Sequence, residues 1–343
     1  MARIAYFYRE MSEYIGIDLT LLRARHEVAV IGCPGRWPRP RATWRIVSDA
    51  DVVMSWFASW HALLPAAFAR IQGKPFVIVS GGYDTANLPE IGYGLQRGGF
   101  TRLVARAVLA LSTRVLAISE FTVRELDRLG VRGSRVALVP LGLDPGRYVS
   151  AALREHDLVV TTGGVNRSNL TRKGLEAFVR AAALVPGARF VLIGAWMDDA
   201  IDRLRAIAPT NVTFTGPLPH PDKVNWLSRA TVVVQASQHE AFGLSLAEGM
   251  LCGAVPVVTD AGALPWVAGE PGVVARSQDP AALADAVALA LTRGTAGGAA
   301  ARARVLAEFS LIARERRLLA VLAEAGIPGA GQPVAGAPDA RAA

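Results

Sequence analysis

The property that most limits what this chain can fold into is an alternation of short β-branched runs with helical stretches, played through twice. In the first half the runs are RIAYFY (3–8), HEVAVI (26–31), DVVM (51–54), PFVIV (75–79), RVLAI (114–118) and RVALV (135–139). They are short and mostly apolar, as strands buried on both faces of a parallel sheet must be. Residues 140–150 (PLGLDPGRYVS) break the rhythm with Gly and Pro and predict a connector. The rhythm then restarts with strands expected at 157–162, 189–193, 211–215, 231–236, 255–259 and 272–275. Helices are expected near 174–185, 198–207, 222–229, 243–252 and 280–292, and one more over 302–325. The tail, 326–343, is rich in Gly, Pro and Ala and is expected to be disordered. The fold class is therefore α/β, with two Rossmann-like domains, 1–145 and 150–304, facing each other across a cleft. In such sheets ligands sit at the carboxyl ends of the strands.

Composition removes several function classes. With 52% hydrophobic and 19% charged residues, the chain can bury full cores and is not a disordered one. Its two cysteines, Cys33 and Cys252, make no disulfide framework and no zinc site, which predicts a reducing cytoplasmic setting. Neither an apolar leader core before Arg9 and Glu10 nor a membrane-spanning apolar run is seen. The net charge is +8, and it is uneven: residues 1–150 hold 19 basic and 12 acidic side chains, the rest 18 and 17. A basic front half points to nucleic acid, anionic lipid or a phosphorylated substrate. Only three of the cations are lysines: Lys74, Lys173 and Lys223. Within the front half, residues 100–111 carry an apolar helical stripe with Arg102, Arg106 and Arg114 off it. That stripe suits a core-packing helix with a solvated face, or one that touches anionic lipid.

The segment 235–260 (QASQHEAFGLSLAEGMLCGAVPVVTD) carries the most chemistry. A strand is expected to end near Ala236, a loop to carry Glu240, and a Gly243-Leu244 turn to open a helix bearing Glu248. Amides at 242–245 are then helix N-terminal donors, which favour phosphate. Glu248 can accept hydrogen bonds from a vicinal diol such as a ribose, and Glu240 can meet sugar hydroxyls. Plainer readings stand beside these: a helix-start acid favoured by the dipole for Glu240, a solvated helix residue for Glu248.

Upstream, 161–174 (TTGGVNRSNLTRKG) runs from a strand into Gly163-Gly164, then to Arg172-Lys173-Gly174 at a helix start. Glycines there let backbone approach a ligand closely. Lys173 can neutralise a diphosphate as a point charge, and Arg167 can add bidentate contacts. A lysine at a helix start opposes the dipole, which favours an anionic ligand over plain solvation. No Walker or G-x-G-x-x-G sequence is present. In the front half, SWFASWH (55–61) and SGGYD (80–84) each follow a strand. Gly81-Gly82 permits close backbone approach, or makes a tight turn. Trp56, Trp60 and Tyr83 can stack on a sugar or lipid tail, or pack the core. His61 can polarise a hydroxyl or be a satisfied structural histidine. Asp84 is expected to face the cleft.

Together the Lys173-Gly174 pair, E-x-F-G-L-x-x-x-E over Glu240 to Glu248, and the GAVPVV strand that follows resemble family 4 of the glycosyltransferases, retaining enzymes of the GT-B fold. The connector VPLGLDPGRY resembles that family's I-P-N-G-V-D-x-x-x-F segment, and NVTFTG (211–216) its N-V-x-F-x-G strand. The resemblance covers roughly 114–325 closely and the first hundred residues loosely. It implies that Glu248 binds the nucleotide ribose and Glu240 sits by the donor sugar. Lys173 would hold the diphosphate with the amides of Phe242, Gly243 and Leu244. Gly164 and Gly216 would lie along the donor, the loop after Gly216 lining the base. The family's Gly-Arg after the strand reads Gly164-Val165 here, and Arg167 is expected to fill the arginine's space. Its glycine-rich loop after the first strand is replaced by Tyr8-Arg9-Glu10-Met11. The acceptor is then expected at Gly82, Tyr83, Asp84 and His61. A closing helix, about 305–325, is expected to pack back on the N-terminal domain.

The function these readings imply is a retaining, metal-independent, hexosyltransferase-type enzyme without a cofactor. It would take a nucleotide diphosphate sugar as donor and a glycan or lipid-linked acceptor, in polysaccharide, lipopolysaccharide or glycolipid synthesis. It would be cytoplasmic and peripheral at an anionic membrane surface, with no nucleic-acid partner. Two rivals are a GT-B sugar-nucleotide epimerase and a non-catalytic basic binding module that kept the fold. The joint presence of Glu240, Glu248 and Lys173 argues against the module.

Overall fold

The computed structural model describes residues 1–35, 37–150 and 154–327. The first sheet holds six parallel strands: β1 (Arg3–Tyr8), β2 (Glu27–Gly32), β3 (Val52–Trp56), β4 (Phe76–Ser80), β5 (Arg114–Ala117) and β6 (Val136–Leu138). Its helices are α1 (Glu13–Arg23), α2 (Pro40–Asp49), α3 (Trp60–Ile71), α4 (Gly99–Leu111) and α5 (Glu120–Arg128). The second sheet repeats the plan with β7 (Glu155–Thr162), β8 (Arg189–Ile193), β9 (Val212–Gly216), β10 (Ala230–Gln235), β11 (Val255–Thr259) and β12 (Val273–Ala275). Around it lie α6 (Arg167–Arg172), α7 (Leu175–Ala182), α8 (Ala200–Ile207), α9 (His220–Arg229), α10 (Leu244–Leu251) and α11 (Leu264–Ala268). The chain continues through α12 (Pro280–Glu308) and α13 (Leu311–Glu324). Strands β3, β4, β10 and β11 are buried along their whole length, which is why they read as unbroken apolar runs.

Strand order fixes where a ligand can sit. It is β2-β1-β3-β4-β5-β6 in the first sheet and β12-β11-β10-β7-β8-β9 in the second. The direction of winding reverses between β1 and β3, and between β10 and β7. Loops after these strands part there and leave a crevice at the sheet's carboxyl edge. In the second half those loops carry Lys173 and Glu240.

Two expectations are revised. The helix expected over 302–325 is broken at Phe309 and Ser310. There Leu143 of the connector donates to the Phe309 carbonyl (2.8 Å) and accepts from the Leu311 amide (3.0 Å), while Ser310 Oγ caps α13. Helix α4 buries Val104, Ala105, Val108 and Leu109 but leaves Phe100 and Leu103 exposed, so its stripe is only partly core. The tail expected to be disordered lies, from residue 328 on, outside the described residues. Helix α13 packs on the first half through Arg314, which pairs with Asp18 of α1. Among the described residues no helix is long and apolar enough to cross a membrane.

Candidate active site

Lys173 stands between two helices rather than at the start of one. It is the C-cap of α6, and Gly174 is the N-cap of α7 with φ +66°. A Cβ at Gly174 would lie 2.0 Å from the Ala236 carbonyl oxygen, so only glycine lets this turn rest against the end of β10. That contact brings Lys173 Nζ to 3.5 Å from Glu240 Oε2. Gln235 Nε2 donates to the same oxygen at 2.8 Å, and the Ser237 hydroxyl lies 3.4 Å away. Gln235 Oε1 accepts from the Leu246 amide at 3.1 Å, tying the Glu240 loop to the first turn of α10.

Glu248 is buried on α10, which overturns its reading as a solvated residue. Lys223 of α9 donates to both of its oxygens at 2.9 Å. Tyr148, from the connector, donates to Oε1 at 2.8 Å. Burial pushes the Tyr148 hydroxyl well above the ordinary tyrosine value and the Glu248 charge adds to the rise, so the proton stays on the phenol. A carboxylate has about four acceptor directions; three are taken. Two of the chain's three lysines thus sit on its two motif carboxylates, and the third, Lys74, donates to the Ala50 carbonyl. In a chain so dominated by arginine, that scarcity was the signal for Lys223, which the sequence reading passed over as a site residue.

The remaining donor-side residues divide. Gly243 is the N-cap of α10 and Leu244 its first residue. The Phe242 ring is buried against Trp266 and Phe309, so that side chain serves packing. Gly164 lies under Met197 and Gly216 beside Trp196, and both of those side chains are substantially exposed. Arg167 is not aimed at Lys173: it pairs with Asp199 (2.6 Å) on an exposed face. The expectation that it fills the place of the family's arginine is corrected, because Asp198 and Asp199, after β8, draw it outward.

On the facing half, Asp84 does not line the cleft. It is fully buried, with Oδ1 accepting from Ser80 Oγ (3.1 Å) and the Gly82 amide (3.0 Å), and Oδ2 from the Ala58 amide (3.0 Å). Burial raises its carboxyl above the usual range in spite of those donors. Asp84 therefore ties the β3 loop to the β4 loop. His61 is buried too; Nε2 lies 2.9 Å from the Trp56 carbonyl, and burial lowers its pKa to about 4. It is thus neutral at pH 7 and donates from Nε2; Nδ1 is buried without a hydrogen-bond partner, and the residue lines a cavity. Tyr83 lines that cavity and its neighbour. Gly82 touches the other half: a Cβ there would meet Ala241 Cβ at 2.1 Å. This contact sets the Tyr83 wall one residue from the Glu240 loop. Tyr93 extends the seam, its ring 4.9 Å from the Arg172 guanidinium and 5.6 Å from the His239 ring.

Comparison with known proteins places this geometry. A family model described as Glycosyl transferases group 1 matches residues 156–293, and one described as Glycosyltransferase Family 4 matches 32–147. A solved structure, Anabaena HepE in complex with UDP, superposes with a TM-score of 0.76 at 15% identity, covering 94% of this chain and all of that one. Sucrose-phosphate synthase from Thermosynechococcus elongatus does so with a TM-score of 0.74 at 19% identity, covering 94% and 99%. The class defined is a GT-B protein, two Rossmann-like domains about a cleft. Among curated relatives, D-inositol 3-phosphate glycosyltransferase 1 of Catenulispora acidiphila is 33% identical over 263 residues, 66% of this chain. The match spans 61% of that relative's length. This chain belongs to family 4 of the glycosyltransferases.

Proposed function

We propose that the chain moves a sugar from a nucleotide diphosphate sugar to a glycan or lipid-linked acceptor, with retention of configuration and without a divalent metal. The observation that carries this reading is the pair of lysine–carboxylate contacts, Lys173 with Glu240 and Lys223 with Glu248, flanking the N-terminus of α10. Breaking the anomeric C–O bond builds negative charge on the departing diphosphate. Lys173, at 3.5 Å from Glu240, can turn to that charge, and the N-terminus of α10 at Gly243 and Leu244 favours an anion. These groups supply the positive charge that a divalent cation would otherwise bring. Glu240 is held by Gln235 for a donor-sugar hydroxyl. With one acceptor direction left on Glu248, one ribose hydroxyl donates to its Oε2 and the other accepts from Lys223 Nζ. The acceptor comes from the Tyr83 side; its oxygen bonds to the anomeric carbon on the face that the diphosphate leaves, and its proton passes to the departing diphosphate oxygen. The Gly82–Ala241 contact excludes water from that meeting point. The basic front half suits work at an anionic inner membrane face.

Calorimetric titration with UDP, GDP and ADP, without metal, tests the donor site in wild type, Glu248→Ala and Lys173→Gln. One nucleotide is expected to bind and to weaken in both variants. Binding by none of the three would overturn the transferase reading and favour a non-catalytic module.

A further inference from the structure

Two adjoining cavities lie at the carboxyl edge of the first sheet. One, about 300 Å³, is flanked by the loops after β1 and β3, the switch point of that sheet, and is lined by Glu10, Ser12 and His61 as well as by Met11, Ile15 and Phe57. The other, about 460 Å³, has Trp37, Trp60, Leu95, Phe100 and Val104 in its wall. The two share Arg9, Ser59 and Tyr83. Among the described residues, no Asp, Glu, Asn or Gln side chain lines the larger one. A buried glycan needs paired donors and acceptors for every hydroxyl, and leaving them unmet is costly. The larger wall offers few; it offers ring faces, with Trp37 and Trp60 5.7 Å apart. Its rim is apolar as well: Phe100 is 66% exposed, Leu103 65% and Trp37 49%.

We propose that the acceptor is an amphiphile, its reacting hydroxyl in the smaller cavity and its alkyl or prenyl-type chain in the larger. The assignment of the hydroxyl rests on the transferase reading; the apolar site stands on the cavity itself. Such a chain can be presented from a bilayer or reach the protein free, and the chemistry recognised is the same. The Arg9–Glu10 pair (3.2 Å), between the two compartments, suits the polar junction of the molecule.

Tryptophan fluorescence, with Trp37 and Trp60 as reporters, tests this with n-octyl β-glucoside below its micelle concentration, methyl β-glucoside and D-inositol 3-phosphate. The octyl compound is expected to bind about tenfold or more tighter than the methyl compound, because only its chain fills the larger cavity. Phe100→Ser, at an exposed position, is expected to weaken the octyl compound about fivefold and to leave nucleotide affinity unchanged. Equal affinity for the two glucosides, or binding of D-inositol 3-phosphate alone, overturns the proposal. Co-sedimentation with phosphatidylcholine–phosphatidylglycerol vesicles that Phe100→Ser abolishes assigns a bilayer source. Octyl binding without sedimentation assigns a free amphiphile, and both uphold the site. Octyl binding with no nucleotide bound rejects the transferase reading and leaves the apolar site. Nucleotide binding with no octyl effect rejects the amphiphile alone.

Discussion

Tyr148 donates its hydroxyl proton to Glu248 Oε1 at 2.8 Å, so the connector between the two halves is bonded directly to a carboxylate of the candidate nucleotide site. The family segment that this connector resembles ends in Phe, which has no hydroxyl to offer. Tyr148 also packs edge-on against His220 of α9, the helix that carries Lys223. The hydroxyl and the ammonium together hold one rotamer of a buried side chain.

Tyr148→Phe removes a hydrogen bond to a charged group, worth about 1.5–3 kcal/mol in the folded state. Part of that loss will appear as stability. The rest will appear as weaker nucleotide binding, about three- to tenfold, because Glu248 is no longer held toward the ribose. Calorimetry with ribonucleotide and 2′-deoxynucleotide diphosphates separates the two. A positioning role predicts that the wild type's preference for the ribonucleotide shrinks in the variant. An unchanged preference would leave Tyr148 a packing residue only.

The strands were legible because doubly covered parallel strands must be apolar throughout, and Val52–Trp56 or Phe76–Ser80 have no other reading. Lys173 and Glu240 were legible because their motifs are local. What escaped is what distant segments decide. Asp84 was expected in the cleft because it follows a Gly-Gly strand end, yet the Ala58 amide, 26 positions away, draws it inward. The helix break at Phe309 has no Gly or Pro to announce it; it exists because Leu143 pairs there. Arg167 has the right spacing from Lys173, but the acids after β8 outbid that position.

Asp84→Ala leaves three donors, from Ala58, Ser80 and Gly82, without their acceptor inside the protein. The expected cost is about 2–3 kcal/mol, since orphaned buried donors lose the full desolvation penalty. Urea unfolding will show a lower midpoint with an unchanged slope. A direct acceptor contact would instead leave the midpoint alone, and that outcome would restore the sequence-based expectation.

His61 makes stability depend on pH. Its pKa is about 4 in the fold against about 6.5 unfolded. Between those values the unfolded chain binds a proton that the folded one does not, so stability rises with pH across that window and is lost as pH falls through it. The full difference is on the order of 3 kcal/mol. His61→Gln can still donate to the Trp56 carbonyl and cannot titrate. Unfolding curves from pH 7 to 4.5 are expected to be flatter for the variant, and equal slopes would show that His61 titrates normally.

Arg314 and Asp18 hold the last helix to the first half, and both are essentially excluded from solvent. The guanidinium donates to Asp18 at 2.5 and 2.7 Å and to the Val139 and Pro140 carbonyls at 3.0 and 2.7 Å. Trp56 Nε1 donates to Asp18 Oδ2 at 2.9 Å, linking this knot to the end of β3. A buried pair of this kind adds little over an apolar pair of the same shape, because desolvation offsets the attraction, but removing one partner strands the other. Arg314→Met is therefore expected to cost about 3–5 kcal/mol. Asp18→Leu combined with Arg314→Met should recover much of that loss, although the Val139 and Pro140 carbonyls still lack a donor. Urea unfolding of the single and double variants decides the matter. Hydrogen exchange adds a spatial check: α13 amides in Arg314→Met should exchange well before those of β3 and β4, since the Arg25–Glu315 pair (2.8 Å) and the apolar face of α13 are then left to hold it to the first half. If the double variant were no more stable than the single one, the stranded Asp18 charge would not be the source of the loss.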